Sequence, residues 1–132
     1  MSQKNVEIVK AAFAHLGRGD LEGFVAHLDS DIEWWDRGDA LDPEVFRGHD
    51  GVRRLVGGVV AHFATWRTEA TDFTDAGEHV VVSIHHTGRG RTSGIPVDQR
   101  EAYACRVRDG KIIEVREYAS AGEALKAVGL EE

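Results

Sequence analysis

The sequence predicts an α+β fold, and three observations carry that reading. Apolar residues recur at helical spacing through most of the first half and alternate through the second. An Asp-Gly pair at 109–110 separates two alternating runs as a hairpin turn would. Helices followed by a run of strands belong to an α+β domain, not to an alternating α/β one.

Over 3–18, Val6, Val9, Phe13 and Leu16 follow helical spacing, and Gly17 and Gly19 close the run. Asp20 is placed to cap a second helix that buries Leu21, Phe24, Val25 and Leu28. The stretch DIEWWD (31–36) alternates as a short strand, with Ile32, Trp34 and Asp36 on one face and Glu33 and Trp35 on the other. A polar loop with Pro43 is expected over 37–48. A third helix begins near Asp50 and carries Val52, Leu55, Val56, Val59 and Phe63 on one stripe. Gly57 and Gly58 weaken it by about 1 kcal/mol each relative to alanine. Strands are expected at 66–73, 79–87, 99–107 and 112–119. SAGE (120–123) then opens a short helix with capping-box spacing, and Gly129 stops it.

The register of the last hairpin decides which side chains share a face. A two-residue Asp-Gly turn sets Tyr103 opposite Arg116; a three-residue turn sets it opposite Val115. The second matches Tyr103, Cys105 and Val107 with Ile113 and Val115, apolar to apolar, and is the expected one. It also puts Glu101 and Glu117 on that face.

At 132 residues the chain fits one domain, 1–132, with 42% apolar and 30% charged residues, as in a soluble globular protein. A net charge of -7 without a basic cluster argues against a nucleic-acid partner. The lone Cys105 excludes an internal disulfide and reads as a buried strand residue. The seven histidines lack ligand spacing, and His85 and His86, adjacent on a strand, point to opposite faces, so no metal is expected. No stretch approaches the ~20 apolar residues of a membrane span, and the charged N-terminus has no signal core. A cytoplasmic protein without membrane contact is the default expectation.

The segments GDLEGFVAHLDSDIEWWD, FRGHDGVRRLV, DAGEHVVVSIHHTGRGRTSG, RDGKIIEVREYA and EALKAVGL span nearly the whole chain. In this order and spacing it resembles the SnoaL-like branch of the nuclear transport factor 2-like superfamily, which includes ketosteroid isomerase. The resemblance implies a cone-shaped α+β barrel, in which a curved antiparallel sheet wraps three N-terminal helices around a pocket and a short helix ends the chain. It also implies a homodimer through the convex sheet face. VVVSI (80–84), apolar on both parities, agrees with a strand covered on both sides.

Fold does not settle function in such a family. Against the isomerases, Asp36 falls on the proton-shuttling carboxylate. Burial beside Trp34 would raise its pKa and make it a base near neutral pH. The rest of that site is altered: the helix-one tyrosine is Ala12, and the strand aspartate is Tyr103, itself able to donate to an oxyanion. Steroid isomerisation is therefore disfavoured. Against the polyketide cyclases, Glu117 is nearest to the acid–base aspartate; if it faces inward beside Glu101, the two form a carboxyl pair of which one member stays protonated, and the alternative is two solvated glutamates at the sheet rim. The isomerase comparison turns His85 inward with Val81 and Ser83.

The candidate catalytic residues are thus Asp36, Tyr103, His85 and Glu117. The expected lining is Trp34, Phe13, Leu55, Val56, Phe63, Val81, Ser83, Glu101, Cys105 and Val115. Arg89 and Arg91 are placed to meet an anionic ligand at the mouth. The expected activity is cofactor-free proton transfer (isomerisation, cyclisation or dehydration) on a small apolar or aromatic molecule. The alternatives are a non-catalytic ligand-binding or interaction module, and a cone plugged by Trp34, Phe63 and Tyr103.

Overall fold

The computed structural model describes residues 2–36 and 41–129. Helix α1 (Ser2–Gly17) buries Val6, Val9, Ala12 and Phe13, the stripe set by its helical spacing. Gly19, in the left-handed region at φ 79°, turns the chain. The Asp20 side chain then accepts from the Gly23 amide at 2.9 Å and caps α2 (Leu21–Val25). This helix is shorter than its apolar pattern implies. Leu28, expected on its face, begins strand β1 (Leu28–Asp36) instead and is buried there.

The expected loop contains a short strand, β2 (Glu44–Arg47), antiparallel to β1; its first part, 37–40, lies outside the described residues. Helix α3 (Gly48–Ala61) follows, and Phe63 opens β3 (Phe63–Ala76) and does not end the helix. Strands β4 (His79–Gly90), β5 (Pro96–Arg108) and β6 (Lys111–Tyr118) complete a sheet of order β2-β1-β6-β5-β4-β3. All neighbours are antiparallel except β1 and β6. The sheet is curved and does not close. Helix α4 (Ala121–Ala127) has the expected cap: Ser120 Oγ accepts from the Glu123 amide at 3.2 Å.

The last hairpin follows neither expected register. Asp109 and Gly110 form a two-residue turn, both with positive φ, and Arg108 pairs with Lys111. A bulge between Arg106 and Val107 in the pairing leaves Ile113 as the extra residue of β6, so Tyr103 faces Glu117 and Cys105 faces Val115. The extra residue expected in the turn lies in the strand. The parity is the same, so Glu101 and Glu117 still share a face.

The main core joins α1, α2, β1 and Val52 of α3 to one sheet face through Val80, Val82, Ile84, Tyr103, Cys105, Ile112 and Val115. Val81, Ala102 and Ala104 lie on the other face and pack with Ala124 of α4. Val81, only 1% exposed, is thus covered by the chain's own last helix, and its burial does not call for a second subunit.

Candidate functional site

β1, β6 and β5 bring three carboxyl side chains to one wall. Trp34 and Asp36 project together from β1, as their shared parity requires, and Trp34 pairs with Val115 on β6. Glu117 follows Val115 by two residues and shares its face. It is only 8% exposed. The Trp34 indole donates to Glu117 Oε2 at 2.6 Å, and the Glu117 carboxyl is hydrogen-bonded to Asp36. Glu117 is pushed up to about 9, first by burial and next by the charge of Glu101. The Trp34 indole opposes the shift, and the bond to and charge of Asp36 add to it. Glu117 therefore holds a proton at neutral pH, and as a carboxylic acid it donates to Asp36.

A second polar group lies on β3, β4 and β5. Directly paired residues share a face, and Tyr103 pairs with Val82. Alternation then turns Val80, Ile84 and His86 inward. His86 Nε2 lies 2.6 Å from Glu101 Oε2, and His86 Nδ1 lies 3.0 Å from Thr68 Oγ1. The Tyr103 hydroxyl is 3.2 Å from the same Glu101 oxygen and 3.3 Å from His86 Nε2. Burial, then the charges of Glu117 and Glu101, push the Tyr103 phenol well above its ordinary range, so it remains a donor. Trp66 stacks on the His86 ring with centroids 5.0 Å apart.

These groups line a cavity of about 510 Å³. Its apolar wall comes from Leu16 and Leu21 near the α1–α2 turn and from Leu55, Val56 and Val59 of α3. Trp34, Asp36, Tyr103, Glu101 and Glu117 are brought together there, with Leu55 and Val56. Trp34 and Tyr103 form its walls and do not plug it, which corrects the filled-cone expectation.

His85, Val81 and Ser83 do not line this cavity and belong to the opposite face. His85 Nε2 bonds Asp98 at 2.7 Å there, and Val81 lies under α4. The inward histidine is His86. With β4 apolar on both parities, its own sequence does not show which face is inward. The register to Tyr103 and Glu101 decides it. Phe13, Cys105 and Val115 are core residues behind the cavity, Phe13 packing on Phe24 and Tyr103 with centroids at 5.2 and 5.9 Å. Burial pushes the Cys105 thiol up, as in an unreactive cysteine. Phe63 packs on Trp66 at 4.6 Å and not on the cavity. Arg89 donates to the Gly94 carbonyl and Arg91 to those of Ala61 and Phe63, and neither lines the cavity.

Sequence reasoning missed Thr68, His86, Trp66 and Gln99 as lining residues. A usable signal lay in Gly88. A Cβ there would come within 2.4 Å of the Thr65 carbonyl oxygen and 3.1 Å of the Trp66 ring, a close approach that marks where Trp66 lies over β4. Among the described residues, no three His, Cys, Asp or Glu side chains converge as metal ligands would. No helix among them is long and apolar enough to cross a membrane.

A family model for the SnoaL-like domain matches residues 9–115. The chain belongs to the SnoaL-like domain family. Solved structures that it resembles include nuclear transport factor 2-like proteins. One from Burkholderia xenovorans is 30% identical, with a TM-score of 0.71 over 97% of both chains. TerC, co-crystallised with polyporic acid, is 20% identical, with a TM-score of 0.75 over 95% of this chain and 98% of its own. A protein of ketosteroid isomerase-like fold from Catenulispora acidiphila, in complex with trimethylamine, is 20% identical, with a TM-score of 0.73 over 95% and 94%. Among curated proteins no match is found. The SnoaL-like family has isomerase, cyclase and ligand-binding members, so the cavity's own chemistry has to carry any functional reading.

Proposed function

We propose that this SnoaL-like protein binds a small apolar or aromatic molecule and transfers protons on it without a cofactor. The observation that carries this reading is the Glu117–Asp36 carboxyl pair in the wall of an otherwise largely apolar cavity. Such a pair holds an acid and its acceptor side by side, the arrangement that proton shuttling requires. Glu117 is the proton-holding member and Asp36 the base. The buried Tyr103 hydroxyl donates to Glu101 in this structure, and turned toward the cavity it is a neutral donor for oxygen charge that develops during the reaction. Isomerisation, cyclisation and dehydration all need only these groups. Polyporic acid in TerC supports small organic molecules as ligands of this fold.

The test uses a chromogenic proton-abstraction substrate such as 5-nitrobenzisoxazole, assayed from neutral to alkaline pH. The native protein is expected to accelerate the reaction. Asp36→Asn is expected to lower the rate by about 10²–10⁴-fold, the usual range for a positioned acid or base. An unchanged rate in Asp36→Asn removes Asp36 from the mechanism.

A further inference from the structure

At Nε2 of His86 the hydrogen-bond direction is fixed by its neighbours. A carboxylate only accepts, so Glu101 Oε2 receives both the Tyr103 hydroxyl at 3.2 Å and His86 Nε2–H at 2.6 Å. An unprotonated Nε2 would set two lone pairs against each other at that distance. In the neutral ring Nδ1 is then the bare nitrogen. The atom facing it is Thr68 Oγ1 at 3.0 Å, which therefore donates its proton to Nδ1.

We propose that Thr68, His86 and Glu101 form a hydroxyl–imidazole–carboxylate triad that makes Thr68 Oγ1 a nucleophile toward activated esters of apolar acids. This goes beyond proton transfer by Asp36 and Glu117, because it uses different atoms and passes through a covalent bond. Three observations support it. Thr68 and His86 pair directly across β3 and β4, so the strand ladder fixes their alignment. Both are 8% exposed, and both line the cavity with Glu101. The stacked Trp66 and the Tyr103–Glu101 bond hold the ring plane and the carboxylate from the other sides. This is the order of roles that activates a hydroxyl in known triads on unrelated folds.

The chemistry balances without a co-reactant beyond water. Oγ1 bonds the acyl carbon as Nδ1 takes the Thr68 proton, while Nε2–H stays bonded to Glu101. The bond from the acyl carbon to the leaving oxygen then breaks, that oxygen takes the proton from Nδ1, and Thr68 is left acylated. Water, deprotonated by the same Nδ1, attacks the acyl carbon. The free acid departs, and Thr68 regains its proton. Gln99, opposite His86 in the β4–β5 ladder and lining the same cavity, is a neutral N–H donor on that wall for the carbonyl oxygen.

The experiment incubates the native protein with p-nitrophenyl butyrate. It follows nitrophenolate release and maps the butyryl group in acid-quenched samples by peptide mass analysis. Release above the buffer rate is expected, with the butyryl group on Thr68. Thr68→Val, which keeps the side-chain shape, is expected to abolish both, and Thr68→Ser to retain them. His86→Gln is expected to slow release by about 10²–10⁴-fold. No release above buffer, a butyryl group found only on other residues, or release that persists in Thr68→Val overturns the proposal. The wild-type mapping stands even if a variant fails to fold. The benzisoxazole assay on the same preparation reads the proton-transfer activity separately, so either reading can fail alone.

Discussion

Glu117 holds its proton far above the ordinary carboxyl range. The unfolded chain releases this proton near pH 4.5, and the native protein keeps it to about 9. Between those values the native state binds the extra proton, so stability falls as pH rises, by at most about 1.4 kcal/mol per pH unit. The stabilising effect is complete below pH 4.5 and lost once pH passes 9. Urea denaturation across that window should show the decline in the wild type and a flatter profile in Glu117→Gln. Equal slopes in both proteins would mean that Glu117 is not the group holding the proton. At this scale the sequence was informative for Asp36, Tyr103 and Glu117, because parity along β1, β5 and β6 placed them on the cavity side. It could not choose between His85 and His86, since one slot on β4 exchanges the faces.

Among the elements, α3 is the one whose sequence works against its own conformation. Gly57 and Gly58 sit inside the helix, and a Cβ at either position would meet no atom within 4 Å. Packing therefore gives no reason for either glycine. Gly58→Ala should stabilise the protein by about 1 kcal/mol, read from its urea midpoint. A loss of stability would show that the glycine is needed for a reason that packing does not reveal. The β5–β6 hairpin teaches a different lesson. Asp109–Gly110 marked the turn correctly, yet the bulge at Ile113 set the pairing that faces Tyr103 with Glu117. A bulge of this kind leaves no sequence mark, because its cost and benefit lie in the packing on both sides of the strand. Strand β2 was hidden for a similar reason. Four residues beside a proline read as loop, and only pairing with β1 makes them a strand.

For the whole molecule, the two sheet faces do different work. One closes the core and the cavity with α1, α2 and α3; the other is covered locally by α4. Ala124 is fully buried against Val81, Ala102 and Ala104. Ala124→Asp would set a charge in that contact, costing about 3 kcal/mol unless α4 detaches to expose it. Denaturation together with dye binding to exposed apolar surface should detect the change. A variant with wild-type stability and unchanged dye binding would show that α4 does not cover the face in solution. The sequence read this strand correctly as covered twice but assigned the second cover to a partner. Apolar parity reports burial and not what does the burying.

Residue pattern along the chain specifies the α+β class, the order of helices and main strands, both side-chain helix caps and the Asp109–Gly110 turn. These follow from periodicity and short-range hydrogen bonding, which act within a few residues. It also specifies that Asp36 and Trp34 share a face, and likewise Tyr103 and Glu101. Long-range pairing settles that His86 turns inward, that Thr68 and Trp66 meet it, and that Glu117 touches both Trp34 and Asp36. Those contacts join residues 18 to 83 positions apart. They depend on strand register across the sheet, which short-range preference does not encode.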